Sequence, residues 1–262
     1  MIFHACSHEK NGTEDPVSLE FFSKVLAEKR RVTVHLPFNY SKETTKRYPV
    51  IYVVDGGSLD HTIAGRLFVL SSAGLVPECI VVGIMNEKGA RERDLTPPFM
   101  QTDVDDKQSP HGQGDRFLKF IKDDLIPLID SGYRTSAVRG LSGHSRGGLL
   151  VLYSQIAEPE LFIARFCYST PAWRFDHILV KKFIEGLKMN RVPATSYLYF
   201  SVGESENENI RSSFDLMEKM LNEAQVPDLK WESYVTPFAD HHTNPVLSSA
   251  RGFAGWGKTT NQ

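Results

Sequence analysis

Val138 to Gly148 reads V-R-G-L-S-G-H-S-R-G-G, and the reading of this stretch decides the fold. Inside it, Gly143, His144, Ser145, Arg146 and Gly147 form a G-x-S-x-G motif. An apolar, β-prone run (Val138 to Leu141) enters the motif, and Leu149, Leu150, Leu152, Tyr153 and Ile156 leave it at helical spacing. Strand, sharp turn and helix in that order make a nucleophile elbow, which holds its serine at a strained backbone angle at the head of the helix. Glycines at 143 and 147 suit such a turn, because a Cβ at either would strike the neighbouring strand or helix. The backbone N–H of Arg146 then faces the place where a tetrahedral oxyanion would form.

Outward from the elbow, apolar runs of strand length alternate with segments of helical period. Arg31 to Leu36 alternates apolar and polar residues, a half-buried strand ended by Pro37. Pro49 opens V-I-Y-V-V-D, apolar and β-branched as a strand buried on both faces requires, and this run stops at Asp55-Gly56-Gly57. Residues 60–75 carry Ile63, Leu67 and Leu70 at helical spacing, and Cys79 to Ile84 is the next buried strand. The polar segment from Asn86 to Asp115 exceeds an ordinary connection and reads as a functional loop at one end of the sheet. Asp115 is placed to cap a helix over 116–129. Downstream come a strand at Phe162 to Tyr168, a helix at 177–188, a strand at Ser196 to Val202, a helix at Ile210 to Ala224, a strand at Leu229 to Val235 and a closing helix at Ser248 to Trp256. The first 28 residues read as an N-terminal arm, with Ser18 to Leu26 a short helix or irregular segment. No repeat divides the chain. The expectation is one α/β domain over 1–262, a mostly parallel sheet with helices on both faces and no separate cap domain.

Composition narrows the function classes. A net charge of −2 and the absence of a long Lys/Arg run argue against a nucleic-acid partner. No apolar stretch approaches the roughly 18–20 residues that span a bilayer, so no membrane role is expected. The start lacks a basic region followed by an apolar core, and three cysteines (Cys6, Cys79, Cys167) do not make a disulfide framework, which together predict a cytoplasmic protein with buried thiols at 79 and 167.

A serine hydroxyl is a poor nucleophile at neutral pH and needs a base, itself oriented by a carboxylate. Strand C-termini converge at the ligand-binding edge of an open α/β sheet, so the loops after the last strands should supply both. The first reads G-E-S-E-N-E and offers Glu204, Glu206 and Glu208; the second reads P-F-A-D-H-H-T and offers His241 and His242. Topology leaves both choices open. The histidines at 4, 8, 35, 61, 111, 144 and 177 lack that placement, though His144 is placed to support the turn. Asp240, His241 and His242 are adjacent, and adjacent residues rarely point at one ion, so no catalytic metal is expected.

Around the elbow, the chain carries Y-P-V-I-Y-V-V-D-G-G (48–57), I-V-V-G-I (80–84), R-E-R-D-L-T-P (91–97), D-R-F-L-K-F-I-K-D-D-L-I-P-L-I-D (115–130) and G-H-S-R-G-G-L (143–149). On these the chain resembles the esterase-D-like α/β-hydrolases, the group holding siderophore esterases, feruloyl esterases and S-formylglutathione hydrolases, with R-x-R-D-L-T-P pointing to the siderophore-esterase-like branch. The resemblance implies an acid third after the strand-end glycine, hence Glu206 after Gly203. It implies His241 as base, in a frame completed by Thr243, Pro245 and Gly252-Phe253. It implies Gly57 as a second oxyanion donor beside Arg146, and Trp173 as a pocket wall. Arg146 after the serine and Arg174 after Trp173 depart from the family's usual apolar residues.

These readings converge on a serine carboxylesterase that works through an acyl-enzyme and needs no cofactor. The small-molecule substrate is expected to be an aromatic or siderophore-like ester, with Trp173, Phe99 and Tyr168 near strand ends and with Arg146 and Arg174 favouring an acidic or catechol-bearing group. An acyltransferase of the same fold and a non-catalytic binding module are the alternatives. The first would be separated by product analysis, and the second would be expected to have lost one of Ser145, Glu206 and His241.

Overall fold

Tyr48–Val54 (β3) and Thr135–His144 (β5) run parallel at the centre of an eight-stranded sheet, in a computed structural model that describes residues 15–189 and 192–260. β3 is rich in apolar residues and buried nearly throughout, which fits a strand covered on two faces. Ile80–Ile84 (β4) lies on the other side of β3, and Ala164–Tyr168 (β6), Ser196–Gly203 (β7) and Leu229–Thr236 (β8) continue from β5, all in parallel. Glu28–His35 (β2) pairs antiparallel with β4, and Val17–Ser23 (β1) pairs antiparallel with β2 at the edge. The order is β1-β2-β4-β3-β5-β6-β7-β8.

The described part of the N-terminal arm is therefore neither helical nor irregular. Val17 to Ser23 has no helical apolar period, and its backbone groups are satisfied by the β2 ladder from Val17↔Val34 to Ser23↔Glu28. Residues 1–14, including Cys6, fall outside the described residues.

Two helices cover one face, Leu59–Ser72 (α1) and Asn244–Thr260 (α8), packing Ile63, Leu67, Phe253 and Trp256 on Ile51, Val53, Phe166 and Tyr199. Gly252 lets α8 lie close, since a Cβ there would stand 2.5 Å from the Tyr199 ring. The opposite face carries Gly114–Phe120 (α3), Ile126–Gly132 (α4), Arg146–Ala157 (α5), Arg174–Met189 (α6) and Glu208–Ala224 (α7). A wide turn over Ile121–Leu125 joins α3 to α4, where the sequence suggests one continuous helix. Asp115 lies inside the first turn of α3 and Gln113 precedes that helix, so the expected Asp115 cap is replaced by an acidic residue favourable to the helix dipole. The long segment after β4 contains a short helix, Arg91–Leu95 (α2). The closing helix begins at Asn244, ahead of the expected Ser248, because the Asp240 carboxylate accepts the N–H groups of His242 and Thr243 and sets the turn before it.

One buried cation holds the elbow helix to the sheet. Arg165, on β6 and 2% exposed, donates to Ser154 Oγ at 2.9 Å, Phe162 O at 2.6 Å and Pro159 O at 3.2 Å, around the C-terminal end of α5. Removing it strands carbonyls that have no water to replace it, at a cost of about 1–3 kcal/mol each. Arg165→Met should therefore lower unfolding stability by about 3 kcal/mol in urea titration. A change under about 0.5 kcal/mol, the range of an inert surface substitution, would contradict this account.

Candidate active site

The elbow has the conformation its motif requires. Ser145 stands between β5 and α5 at φ 54° and ψ −121°, outside the regions an L-residue prefers, at a cost of about 1–3 kcal/mol. Its N–H donates to Tyr168 O at 2.8 Å, so the neighbouring strand fixes the strained residue. Gly143 and Gly147 are obligatory, because a Cβ on Gly143 would lie 2.5 Å from the Gly147 carbonyl and one on Gly147 would lie 2.8 Å from Val54.

The two later loops converge on this serine. His241 Nε2 lies 3.0 Å from Ser145 Oγ, and His241 Nδ1 lies 3.0 Å from Glu206 Oε1. The other candidates are engaged elsewhere. Glu204 accepts the Phe238 N–H at 2.8 Å, Glu208 lies in the first turn of α7, and the His242 N–H is held by Asp240. Burial works to raise the Glu206 carboxyl, and the hydrogen bond of His241, with those of Ser169 and the Asn207 backbone and the charge of His241, outweighs it, so the group stays below the ordinary carboxylate range. A hydroxyl, an imidazole and an ionised carboxylate in this line can move a proton from the serine and stabilise the resulting imidazolium.

Supports for this line come from residues that motif reading only partly finds. His144 Nε2 donates to the His241 carbonyl at 2.7 Å, which ties the elbow to the histidine loop. Burial, with a smaller contribution from His241, pulls the His144 pKa down to about 4, so the ring is neutral near pH 7. Beneath the site, Asn244 Nδ2 donates to Ser169 Oγ at 2.9 Å, Thr236 Oγ1 donates to Asn244 Oδ1 at 2.6 Å, and Ser201 Oγ meets Ser248 Oγ at 2.8 Å. This buried polar cluster joins the ends of β7 and β8 to the start of α8, and scattered serines and threonines give no pattern by which to foresee it.

The R-E-R-D-L-T-P segment is a packed support. Arg91 grips Asp55 through Nε at 2.6 Å and Nη2 at 2.8 Å, just after β3. Arg93 holds Glu28 and Asp94, and the Asp94 carboxylate also takes Arg30. Asp94 is thus satisfied by guanidinium groups. A buried carboxylate gains more from permanent cations than from neutral donors.

Other expected site residues divide. Gly57 does not offer its N–H to the serine, because that group donates to Asp60 Oδ1 at 2.8 Å, and Gly56 N–H is taken by Ile84 O. Tyr168 points into the α1–α8 layer, is fully buried against Tyr199 and has no access to a substrate. Phe99 is half-buried, edge-on to Tyr153, and Trp173 is half-buried against the α5–α6 core. Arg146 and Arg174 share one acceptor, the Thr102 carbonyl, at 2.9 and 3.2 Å, and Arg146 also donates to Thr96 Oγ1. The nearest carboxylate to Arg146 is Glu92 at 4.0 Å, and no carboxylate among the described residues pairs with Arg174. Burial, together with the charge of Arg146, brings the Arg174 pKa down to about 10.

With this geometry in hand, comparison with known proteins places the chain. The model of the "Putative esterase" family matches residues 23–243. The ferri-bacillibactin esterase BesA of Bacillus subtilis is 31% identical over 194 residues, which are 64% of this chain and 66% of that protein. A siderophore triacetylfusarinine C esterase of Aspergillus fumigatus is 28% identical over 71% of this chain and 67% of its own length. Among solved structures, an IroE-like serine hydrolase from Shewanella oneidensis superposes with a TM-score of 0.82 at 25% identity, covering 92% of this chain and 79% of that one. The chain belongs to the "Putative esterase" family and is a serine ester hydrolase of the α/β-hydrolase fold.

Proposed function

We propose that Ser145, His241 and Glu206 form the catalytic triad, on the strength of the two successive 3.0 Å contacts that join them. Ser145 Oγ attacks the ester carbonyl as its proton passes to His241 Nε2. Glu206 orients the ring and stabilises the imidazolium. Collapse of the tetrahedral adduct breaks the acyl–oxygen bond, and the alcohol leaves with the proton held by His241. Water, deprotonated by the same ring, then cleaves the acyl-enzyme. The Arg146 N–H is the first oxyanion donor. The turn after β3 is the source we propose for the second, and within it the N–H of Gly57 is held by Asp60. Each donor contributes on the order of 3 kcal/mol to lowering the barrier.

The substrate we propose is an ester bearing a catechol or other acidic aromatic acyl group. Arg146 directly follows Ser145, and its guanidinium is oriented by Thr96 Oγ1 and the Thr102 carbonyl with one carboxylate, Glu92, at 4.0 Å, so an anionic group entering beside it meets positive charge that is only partly balanced. The relatives named above as siderophore esterases support a siderophore-type ester as the substrate class. The partly buried Trp173 supplies an apolar wall.

Three measurements test these assignments. Ser145→Ala should abolish hydrolysis of a p-nitrophenyl ester and of methyl ferulate, and retained turnover would rule out Ser145 as nucleophile. Glu206→Gln should keep the fold and lower kcat by on the order of 10³- to 10⁴-fold, the loss expected when a base histidine is left in the wrong tautomer. Arg146→Gln should lower kcat/KM for a tris-catecholate trilactone about tenfold relative to p-nitrophenyl acetate, the equivalent of about 1.4 kcal/mol, with the gap narrowing in high salt. An unchanged ratio would remove Arg146 from substrate selection.

A further inference from the structure

Away from the elbow, Asp60 in the first turn of α1 is fully buried, yet no lysine or arginine among the described residues pairs with it. The contrast with Asp94 is instructive, since that equally buried carboxylate is gripped by Arg30 and Arg93. A buried carboxylate needs a countercharge, because desolvating it alone is prohibitive. Among the described residues, the groups placed to bring one to Asp60 are two imidazoles. His35 Nε2, at the end of β2, lies 2.9 Å from Asp60 Oδ2, and His61 Nδ1 lies 3.4 Å from Asp60 Oδ1.

The surroundings have the form of a prepared site. Adjacent residues rarely point at one ion, but here Asp60 and His61 do turn toward a common point, and with His35 the three ligand-type atoms all lie within 4.8 Å of one another. Bonds of about 2.0–2.2 Å to one tetrahedral ion would set neighbouring ligand atoms about 3.3 Å apart, so small side-chain shifts would admit it. Thr33 Oγ1 donates to Asp60 Oδ2 at 2.5 Å and the Gly57 N–H donates to Oδ1 at 2.8 Å, the kind of outer hydrogen bonds that orient a ligating carboxylate. Gly83 on β4 leaves the space, since a Cβ there would stand 2.3 Å from Asp60 Oδ2 and 2.6 Å from Thr33 Oγ1. His35 and His61 also line a cavity of about 230 Å³, walled by Phe38 and Phe68, with room for a water as fourth ligand. Two nitrogens and one carboxylate oxygen with an open position suit zinc better than the hard cations that prefer all-oxygen shells.

We infer that His35, Asp60 and His61 bind one zinc ion, apart from the catalytic triad, as a structural clasp between β2 and α1. Through Asp60 and the Gly57 N–H the clasp also braces the turn that follows β3. Its chemistry is coordination only, with no bond made or broken in substrate.

The test uses the full-length chain carrying His4→Ala, Cys6→Ser and His8→Ala, because these N-terminal side chains are themselves zinc-ligand types. The protein is stripped with chelator, then titrated with Co²⁺ followed by visible absorption and with Zn²⁺ by equilibrium dialysis and thermal unfolding. One ion per chain, the intense absorption of a four-coordinate Co²⁺ site and a Tm raised by zinc are expected, and all three should survive His241→Ala. His61→Ala, at a half-exposed position that the fold tolerates, and His35→Gln should each weaken binding more than about 100-fold, beyond the loss of an outer partner. Thr33→Val should weaken it by about 10- to 100-fold. The inference is overturned if micromolar zinc does not bind. It is equally overturned if His61→Ala and His35→Gln bind as tightly as the parent, or if His241→Ala abolishes binding.

Discussion

The strained backbone of Ser145 is the constraint on which the rest of this structure depends. A residue at φ 54° is held there only if its surroundings offset the strain. Here the surroundings are the close crossing of β5 and α5, which two glycines permit, and the Ser145 N–H bond to β6. Arg165 then pins the far end of α5 to the same strand. The sheet must be buried on both faces for this to hold, since a solvated β3 or β6 would not over-determine a single backbone angle. The two helical layers of the fold are therefore part of the serine's geometry.

The second requirement is that loops distant in sequence arrive within a hydrogen bond of that serine. Parallel strands deliver them to one edge, and local chemistry sets the final position. Asp240 shapes the turn that carries His241, His144 anchors its carbonyl, and the Asn244 cluster ties the strand ends beneath it. Because His144 is neutral, it can hold the loop without placing a positive charge beside His241.

The arginines fall into two groups with different physical roles. Arg30, Arg91 and Arg93 are matched with carboxylates and act as fixed braces, so their charge is spent inside the protein. Arg146 and Arg174 are matched chiefly with a carbonyl, which orients them without neutralising them. That difference in partner separates an arginine fixed in an ion pair from one held by a neutral acceptor, and residue type alone does not reveal it.

The sequence by itself determined the elbow, the alternation of strands and helices, and the loops on which an acid and a base must lie. These are local properties: the backbone demand of G-x-S-x-G, hydrophobic period, and the rule that parallel strands end at one edge. Tertiary structure decided what depends on contacts across the chain. It set Glu206 and His241, rather than their neighbours, in line with Ser145, turned the N–H of Gly57 toward Asp60, buried Tyr168 in the layer under α1 and α8, and made Val17 to Ser23 a strand because β2 offers a free ladder. It also brought His35, Asp60 and His61 together, residues with no motif spacing. A hydrogen-bond partner far away in sequence leaves no periodic trace, and so a side chain's role is settled only when the fold chooses its neighbours.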